Sequence, residues 1–345
     1  MNTNTSKSVI VNKFGGYDVL QVGDFELPPL DGKIEVKVEY GGLNFADLYT
    51  RQGLMLDRKL PFVLGMECSG IVTAIGVDKS EFQVGQKVLC YDYKGGMYRE
   101  TVRVDPKHCF PVPDHVNSET AASIFVNYLT AYFAVYELGN LRKNQRVLIM
   151  SCAGGVGVAA TQLAKLLEGV EIYGTGSDFK DANAKANGVD VFITHENFKE
   201  EIKKHQFDLI LATNSGPILE FYQTLLKPLG RLVILGANNI IQNENKLSMM
   251  TLLKLWWTTK NISPESLVMY NRVVAGLHLG TLMENNLGKI RETLNHIFEL
   301  LKKGKIKPVV DSIWRFNEIV QATKVLAERK NIGKVLLKFG DENQK

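Results

Sequence analysis

The chain has 345 residues, of which 45% are hydrophobic and 23% are charged, with a formal net charge of +4. This composition excludes a disordered or fibrous chain, and the length favours two domains with cores that are stable without disulfides. The weak, dispersed positive charge suits a small anionic ligand and does not indicate nucleic-acid binding.

Cysteine spacing and the chain start both favour a cytoplasmic protein. The amino-terminal residues are polar and lack the apolar core of a signal peptide, and no uncharged run reaches the ~20 residues of a membrane span. The cysteines form no CxxC pair, so we expect reduced, buried thiols and no structural zinc site. They are Cys68, Cys90, Cys109 and Cys152.

The first third of the chain predicts short β-strands separated by Gly, Pro and Asp, which is typical of a partly closed barrel. These strands cover residues 9–13, 33–40, 70–75 and 87–91.

From residue 118 the pattern changes to a long helix, to about residue 138, and then to strands that alternate with helices. Continuous apolar strands in this arrangement indicate a doubly wound parallel sheet with helices on both faces. The predicted strands are 146–151, 170–175, 191–194, 207–213 and 230–235, with helices at 155–168, 178–187 and 216–226. Beyond a polar segment we predict strands 273–279, 309–316 and 334–339 and helices 289–303 and 317–329.

The strongest local motif is the sequence CAGGVG at residues 152–157, between a predicted strand and a predicted helix. Gly154 allows the backbone to approach a pyrophosphate, and Gly157 allows the helix to pack against the strand. The helix start adds free N–H groups and a positive dipole end. Cys152 occupies the first position of the usual GxGxxG fingerprint, so an ordinary strand-to-helix turn is the alternative.

A missing carboxylate predicts that the cofactor carries a 2′-phosphate. NAD sites usually carry Asp or Glu about 20 residues after the glycines, and here that position lies near Gly174. Ser177 and Lys180 follow and are candidates to bind a 2′-phosphate, which predicts NADP(H). Asp178 weakens this argument, and the alternative is that Ser177 caps the next helix while Lys180 is a solvated surface charge.

A catalytic metal is not expected. Medium-chain alcohol dehydrogenases use a Gly-His-Glu motif whose His binds zinc, whereas this chain has Met66 between Gly65 and Glu67. Where those enzymes place an upstream Cys, this chain has Asn44. Thioether and amide side chains are poor zinc ligands, so hydrogen-bond donors must polarise the substrate.

Several motifs together resemble the zinc-free quinone oxidoreductases, a group that includes zeta-crystallin. They are NFAD at 44–47 with Arg51 and Gly53, the glycine loop, and NIGKVL at 331–336. The chain is more narrowly similar to the synaptic vesicle amine transport protein homologue branch. That likeness rests on GLNFAD at 42–47, VNYLTAY at 126–132, WW at 256–257, NR at 271–272, GLHLG at 276–280, IKP at 306–308 and DS at 311–312.

The resemblance implies an α/β protein in which a Rossmann doubly wound parallel sheet is inserted into a GroES-like, partly open β-barrel domain. The catalytic domain would comprise residues 1–127 and 306–345, and the NADP-binding domain residues 128–305. A homodimer is implied, with the strand at 273–279 pairing with its symmetry mate. The implied reaction is zinc-independent, NADPH-dependent reduction of a small quinone or α,β-unsaturated carbonyl.

The resemblance also places residues in a cleft between the domains. Asn44 would donate a hydrogen bond to developing negative charge, Tyr49 is a second candidate donor, and Asp47 would orient the loop. For His278, a position at a protein interface is an equal alternative to the cleft. For Asn331 and Lys334, the equal alternative is that they only begin a strand. The implied cofactor contacts are Asn44, Thr130, Gly154, Gly155, Val156, Gly157, Thr175, Ser177, Lys180, Gly236, Ala237, Asn238, His278, Leu279, Asn331 and Lys334.

Two other functions compete with the enzyme. Members of the branch are associated with membranes and with lipid transfer between mitochondria and the endoplasmic reticulum, and Trp256 and Trp257 between Lys254 and Lys260 suit a membrane interface. Burial of these tryptophans at a domain contact is the alternative. Peripheral contact with phospholipid on the mitochondrial outer or vesicle membrane is therefore a second hypothesis, and a redox-inactive nucleotide-binding protein is a third.

Overall fold

The computed structural model describes residues 4–55, 58–236 and 262–340. Within these residues the strands build three sheets, two of them in the half formed by both chain ends. The strands are β1 Thr5–Val11, β2 Leu20–Glu26, β3 Ile34–Gly42, β4 Phe62–Val63, β5 Glu67–Ile75, β6 Lys87–Tyr91, β7 Thr101–Val104, β8 Cys109–Pro111, β9 Arg146–Ile149, β10 Glu171–Gly176, β11 Val191–Thr194, β12 Phe207–Ala212, β13 Leu226–Ile234, β14 Val273–Gly276, β15 Val310–Arg315 and β16 Lys334–Lys338.

The helices begin with α1 Phe45–Arg51 and a long α2, Ser118–Tyr132, which a π-helical turn extends through Phe133–Leu138. The remaining helices are α3 Gly155–Lys165, α4 Asp181–Ala186, α5 Phe198–Ile202, α6 Ile218–Thr224, α7 Pro264–Tyr270, α8 Leu279–Asn285, α9 Leu287–Lys302 and α10 Ile319–Ala327.

The central part of the chain forms a six-stranded sheet in the order β11-β10-β9-β12-β13-β14 within the described residues, and every neighbouring pair is parallel. Its strands are apolar on both faces because helices cover both. Along β9, Val147 and Ile149 belong to one buried cluster and Leu148 to another, as the two-residue period of a strand requires. This arrangement confirms the predicted doubly wound sheet.

The two chain ends share the other large sheet. Strands β15 and β16 from the carboxyl-terminal segment join β3, β5, β6 and β8, with β7 also on β3, and β2-β1-β4 form a smaller sheet. A separate core contains residues of both ends, such as Val36, Val72 and Leu337. Both chain ends therefore contribute to one sheet and one core, and α2 spans residue 127, where the resemblance places a domain boundary.

Several local predictions need correction. The pattern analysis missed β2, β4, β7 and β8, because β2 is mostly exposed and the other three have only two to four residues. The predicted strand 273–279 ends at Gly276, since His278 caps the next helix by accepting a hydrogen bond from the Thr281 N–H. The four cysteines are buried and free, as expected.

Candidate functional site

One cleft lies where the carboxyl ends of β9, β10 and β12 meet α1 and the start of β16. Its wall contains Asn44, Tyr49, Thr130, Gly154, Gly155, Val156, Gly157, Thr175, Ser177, Lys180, Gly236, Asn331 and Lys334. Ligands of doubly wound sheets bind in this position, outside the carboxyl ends of the strands. The fold thus brings together most of the residues that the sequence predicted as one site.

Four predicted site residues are not part of this cleft as the structure describes it. His278 is exposed, packs its ring edge against Tyr93 with ring centroids 6.0 Å apart, and is absent from the cleft wall, as is Leu279. A motif resemblance led to the prediction that these two residues line the cleft, whereas here they form the start of α8. Ala237 and Asn238 lie outside the described residues, and so do Trp256 and Trp257.

Two glycines of the loop have different surroundings, because Gly157 is tightly packed and Gly154 is not. A Cβ on Gly157 would lie 2.3 Å from the Ser151 carbonyl oxygen, so only glycine lets α3 approach β9 this closely. A Cβ on Gly154 would meet nothing nearer than 3.4 Å. Gly154 is the N-cap of α3 and has no side chain to cap the helix. The positive end of the helix therefore faces the cleft.

Cys152 explains the missing carboxylate near Gly174. The thiol is buried, and a Cβ on Gly174 would lie 2.5 Å from the Cys152 sulfur atom. A side chain at position 174 is therefore excluded by the residue that departs from the GxGxxG pattern. Thr175 is also fully buried, and its hydroxyl accepts a hydrogen bond from the Ser151 N–H at 3.2 Å.

The far end of the cleft carries a group of basic side chains. Lys180 is 6% exposed and donates from Nζ to the Asn331 carbonyl oxygen at 2.7 Å, so the alternative of a solvated surface charge is wrong. Burial lowers the pKa of Lys180. Burial also lowers the pKa of His195, with a further contribution from the charges of Arg329 and Lys180.

A buried polar network forms the near end of the cleft. Glu67 is fully buried; one of its carboxylate oxygens pairs with Lys334 Nζ and the other accepts from the Val126 N–H at 3.1 Å. The Asn44 amide donates to Glu67 Oε1 at 2.9 Å and to the Gly42 carbonyl oxygen at 3.0 Å. Lys334 Nζ in turn donates to Asn44 Oδ1 at 2.8 Å.

This network changes the role assigned to Asn44. Both amide hydrogens of Asn44 are used within the protein, so the side chain holds Glu67 and Lys334 in place and has no N–H left for a substrate oxygen. Tyr49 remains in the cleft wall, partly buried, with its phenol as a candidate donor.

Asp47 supports the loop that carries Asn44. Its Oδ2 accepts hydrogen bonds from the Asn44 N–H at 2.8 Å and the Tyr98 hydroxyl at 2.7 Å, while Oδ1 is buried without a hydrogen-bond partner. Burial raises the pKa of Asp47 to about 6, against the lowering effect of these bonds and of Lys334. These contacts match the orienting role that the sequence analysis gave Asp47.

Sequence reasoning assigned no site role to several cleft or network residues, among them Glu67, Asn127, His195 and Arg329. His195 and Arg329 belong to no motif, and Asn127 was noted only within the VNYLTAY sequence at 126–132. Glu67 stood beside Met66 in the failed zinc motif, and its pairing with a lysine 267 residues later was not visible in the sequence. Among the described residues, no group of three or more His, Cys, Asp or Glu side chains is arranged to hold a metal ion.

Two family matches cover different parts of the chain. The alcohol dehydrogenase GroES-like domain matches residues 30–114, and the zinc-binding dehydrogenase family matches residues 187–337. In the part of the chain that the structure describes, no helix is both long and apolar enough to cross a membrane.

Relatives match nearly the whole chain. The synaptic vesicle membrane protein VAT-1 homologue of Rattus norvegicus is 36% identical over 98% of this chain and 85% of its own length. The crystal structure of the human VAT-1 homologue-like protein has a TM-score of 0.84 at 30% identity and covers 98% of this chain and 99% of that one. A quinone oxidoreductase from Pseudomonas syringae has a TM-score of 0.84 at 25% identity, with coverage of 97% and 100%.

Proposed function

The chain belongs to the quinone oxidoreductase group of the medium-chain dehydrogenases/reductases, in the branch of the VAT-1 homologues, and from this premise we propose that it uses NADPH, without zinc, to reduce quinones or α,β-unsaturated carbonyls. The observation that carries the proposal is the open N-terminus of α3 at Gly154, which faces a cleft at the carboxyl ends of parallel strands. Such a helix end is suited to a pyrophosphate.

NADP preference is supported by the charge at the far end of the cleft. Ser177, Lys180, His195 and Arg329 line the wall just beyond β10, where NAD-specific sites place a carboxylate. Burial lowers the pKa values of Lys180 and His195, and repulsion from Arg329 contributes to both; a 2′-phosphate would relieve this repulsion.

Zinc independence is supported by the residues at the positions where a catalytic zinc would need ligands. Met66 is 4% exposed and belongs to the hydrophobic core, and the Asn44 amide is engaged with Glu67 and Gly42. Neither side chain offers a thiolate or imidazole.

In the proposed reaction the bound nicotinamide supplies a hydride, and this chain's residues provide binding and orientation. Gly154 and the first turn of α3 hold the pyrophosphate, and Lys180 and Arg329 hold the 2′-phosphate. Lys334 and Glu67, an ion pair that Asn44 holds in place, fix the wall at the near end of the cleft. Tyr49 donates a hydrogen bond to the substrate oxygen on which negative charge develops.

The proposal is tested by two measurements on the purified chain. Calorimetry with NADPH and NADH should give heat for both and tighter binding of NADPH. NADPH oxidation with a panel of quinones and enones should show turnover. Tight NADPH binding without turnover would favour a redox-inactive nucleotide-binding protein, and the absence of any heat with either nucleotide would end the proposal.

We also propose a homodimer that forms through β14. This strand is at the edge of the six-stranded sheet within the described residues, and Val273 on it is 36% exposed. An unprotected edge of this kind invites pairing with another strand, and a two-fold axis would pair it with its own copy.

Peripheral membrane contact is the second candidate function, and it rests on the sequence at Trp256 and Trp257. Large aromatic residues next to lysines suit a lipid interface. Replacing both tryptophans with Ser should abolish flotation of the chain with anionic liposomes. Unchanged flotation would remove this candidate.

A further inference from the structure

A second cavity, separate from the cleft, lies where the amino-terminal strands and the loop after β6 meet α8. It has a volume of about 760 Å³ and shares no lining residue with the cleft among the described residues. The loop between β6 and β7 forms one side, β2 contributes Phe25, and α8 contributes Met283 and Glu284. A volume of this size accommodates a small organic ligand.

Positive charge dominates the wall, with six Lys and Arg side chains against three carboxylates. Four of the wall's basic groups are matched by a carboxylate in an ion pair: Arg103 with Glu35 at 2.7 Å, Lys94 with Glu284 at 3.8 Å, Lys107 with Asp105 at 3.6 Å and His108 with Asp92 at 3.1 Å. Arg58 and Arg99 form no ion pair with any residue that the structure describes. The excess charge of the cavity therefore resides on two guanidinium groups and Lys33.

Arg99 is the most unusual of these groups. It is 6% exposed, its Nε has no hydrogen-bond partner in the described structure, and Nη1 makes a long contact of 3.4 Å to the Glu26 carbonyl oxygen. Its guanidinium lies 5.6 Å from the centre of the Phe25 ring, which is also in the cavity wall. Burial lowers the pKa of Arg99 to about 10, so the group is still charged at pH 7. A buried charge without a counter-ion is costly, and an anion in the cavity would compensate it.

Arg58 adds a second guanidinium to the same wall. It is partly buried, donates from Nη2 to the Tyr93 carbonyl oxygen at 2.7 Å, and lies 5.5 Å from the centre of the Phe62 ring. Burial lowers the pKa of Arg58 as well, against the opposing effect of the more distant Asp47 and Asp92 carboxylates. Both arginines thus combine a cationic group with an aromatic wall residue, Phe25 for one and Phe62 for the other.

We propose that this cavity binds a phosphate monoester carried on an apolar or aromatic group. A phosphate monoester has a charge of about −1.5 to −2 at pH 7, which suits two guanidinium groups that form no ion pair with a described residue. The rings of Phe25, Phe62 and Tyr93 supply apolar surface for the attached group. The site does not depend on the proposed oxidoreductase activity, because the two cavities have no wall residue in common.

The test is calorimetry of the full chain with inorganic phosphate, phenyl phosphate and water-soluble dioctanoyl phosphatidic acid. Phenyl phosphate should bind more tightly than inorganic phosphate. The phosphatidic acid probe distinguishes a lipid headgroup from a small aryl phosphate as the source of the phosphate. Arg99→Gln should weaken phenyl phosphate binding by roughly tenfold or more, the effect of losing a charge-assisted hydrogen bond. Arg142→Gln, which changes an exposed arginine remote from the cavity, should have no effect.

Two further variants control for poor folding of Arg99→Gln and for phosphate binding in the nucleotide cleft. Arg58→Gln, at a partly buried position, should weaken the same ligand even if Arg99→Gln folds poorly, and Lys180→Ala in the cleft should leave it unchanged. Loss of binding in Lys180→Ala would instead place the phosphate in the nucleotide cleft. That result, wild-type affinity in both arginine variants, or no binding of any probe to the native chain would overturn the proposal.

Discussion

Tyr49 is the cleft residue whose replacement separates catalysis from nucleotide binding. Tyr49→Phe should lower kcat/KM for quinone or enone reduction roughly 100-fold, because a donor to developing negative charge is removed while the ring is kept. The Kd for NADPH should not change, since Tyr49 is not among the residues proposed to hold the phosphates. Steady-state kinetics and calorimetry measure the two quantities. Tyr270→Phe, at an exposed position on α7, is the matched control, and equal activity in both variants would assign the donor role to another group.

Lys180 is the residue that tests cofactor preference. Lys180→Ala should weaken NADPH by about 10- to 100-fold and NADH hardly at all, because a charge-assisted hydrogen bond contributes roughly 1.5–3 kcal/mol. Arg329→Gln should act in the same direction.

Lys185→Ala serves as the control for Lys180, because this lysine is exposed and pairs with Asp181 at 2.9 Å, outside the cleft wall. Fluorescence titration with both nucleotides provides the measurement. Equal weakening of NADH and NADPH by Lys180→Ala would show that this lysine supports the cleft through its bond to Asn331 and does not select the 2′-phosphate.

Asp47 gives the protein a specific pH dependence. Its pKa is raised from 3.8 to about 6 in the folded state, so the native chain binds the proton more tightly than the unfolded chain. Stability is therefore lost as the pH rises from 3.8 through about 6, by about 3 kcal/mol at 1.36 kcal/mol per pKa unit.

Asp47→Asn should remove this loss, because the amide does not titrate. Its carbonyl oxygen keeps the acceptor role toward the Asn44 N–H and the Tyr98 hydroxyl, and any constant cost of the new amide N–H groups is independent of pH. Denaturant unfolding at pH 4 and pH 7 checks this in both proteins. Parallel pH profiles for the two proteins would mean that Asp47 has an ordinary pKa in the folded chain.

At the scale of elements, the turn from β9 into α3 separates a packing glycine from a binding glycine. Gly157→Ala should destabilise the fold by roughly 1–3 kcal/mol, since its Cβ would lie 2.3 Å from the Ser151 carbonyl oxygen. Gly154→Ala should leave stability nearly unchanged, because its φ of −76° suits alanine and no atom lies nearer than 3.4 Å. It should nevertheless weaken NADPH binding, as the methyl group occupies the approach to the pyrophosphate.

Thermal unfolding and calorimetry on the two glycine variants provide complementary readouts. The expected pattern is a lower Tm in Gly157→Ala and a higher Kd at unchanged Tm in Gly154→Ala. A Gly154→Ala protein with native affinity would contradict the assignment of this turn to the phosphates.

Element types were largely predictable, and element ends were not. A continuous apolar run predicted β9, because helices cover both of its faces, and hydrophobic periodicity predicted α3, because one helix face is buried. It did not predict that the strand near residue 273 stops at Gly276, because that end is fixed by the bond from the Thr281 N–H to the His278 ring. Short or exposed strands such as β2 and β7 have too little apolar alternation to be recognised.

At the scale of the whole molecule, the edge strand β14 predicts the oligomeric state. Sedimentation of the native chain should give a dimer. Val273→Glu should shift it toward a monomer, because each copy would place a carboxylate in the paired edge. Val84→Glu, at a 65% exposed position in the β5–β6 loop, is the control. A native chain that sediments as a monomer at all concentrations would contradict the dimer.

The two halves of the molecule meet through the glycine loop and the carboxyl-terminal segment. Gly154 and Gly333 form a backbone bridge, and the Gly333 N–H donates to the Ala153 carbonyl oxygen at 2.9 Å. Lys334, the next residue, forms an ion pair with Glu67 on β5. Nucleotide bound at this loop would therefore contact the element that anchors the near end of the cleft.

The sequence by itself determined the fold class, the turn into α3 and the absence of a carboxylate near Gly174. These features are local. The apolar run of a strand, the hydrophobic periodicity of a helix and the missing Cβ of a glycine depend on a few consecutive residues, so they can be read from the sequence.

Only the tertiary structure decided which charges are buried together. Glu67 and Lys334 are 267 residues apart and meet because β16 joins the sheet of β3 and β5. Arg99 is indistinguishable from a surface arginine in the sequence, and only packing leaves its guanidinium buried beside a cavity. Desolvation and pairing depend on what surrounds a side chain in space, which no short stretch of sequence specifies.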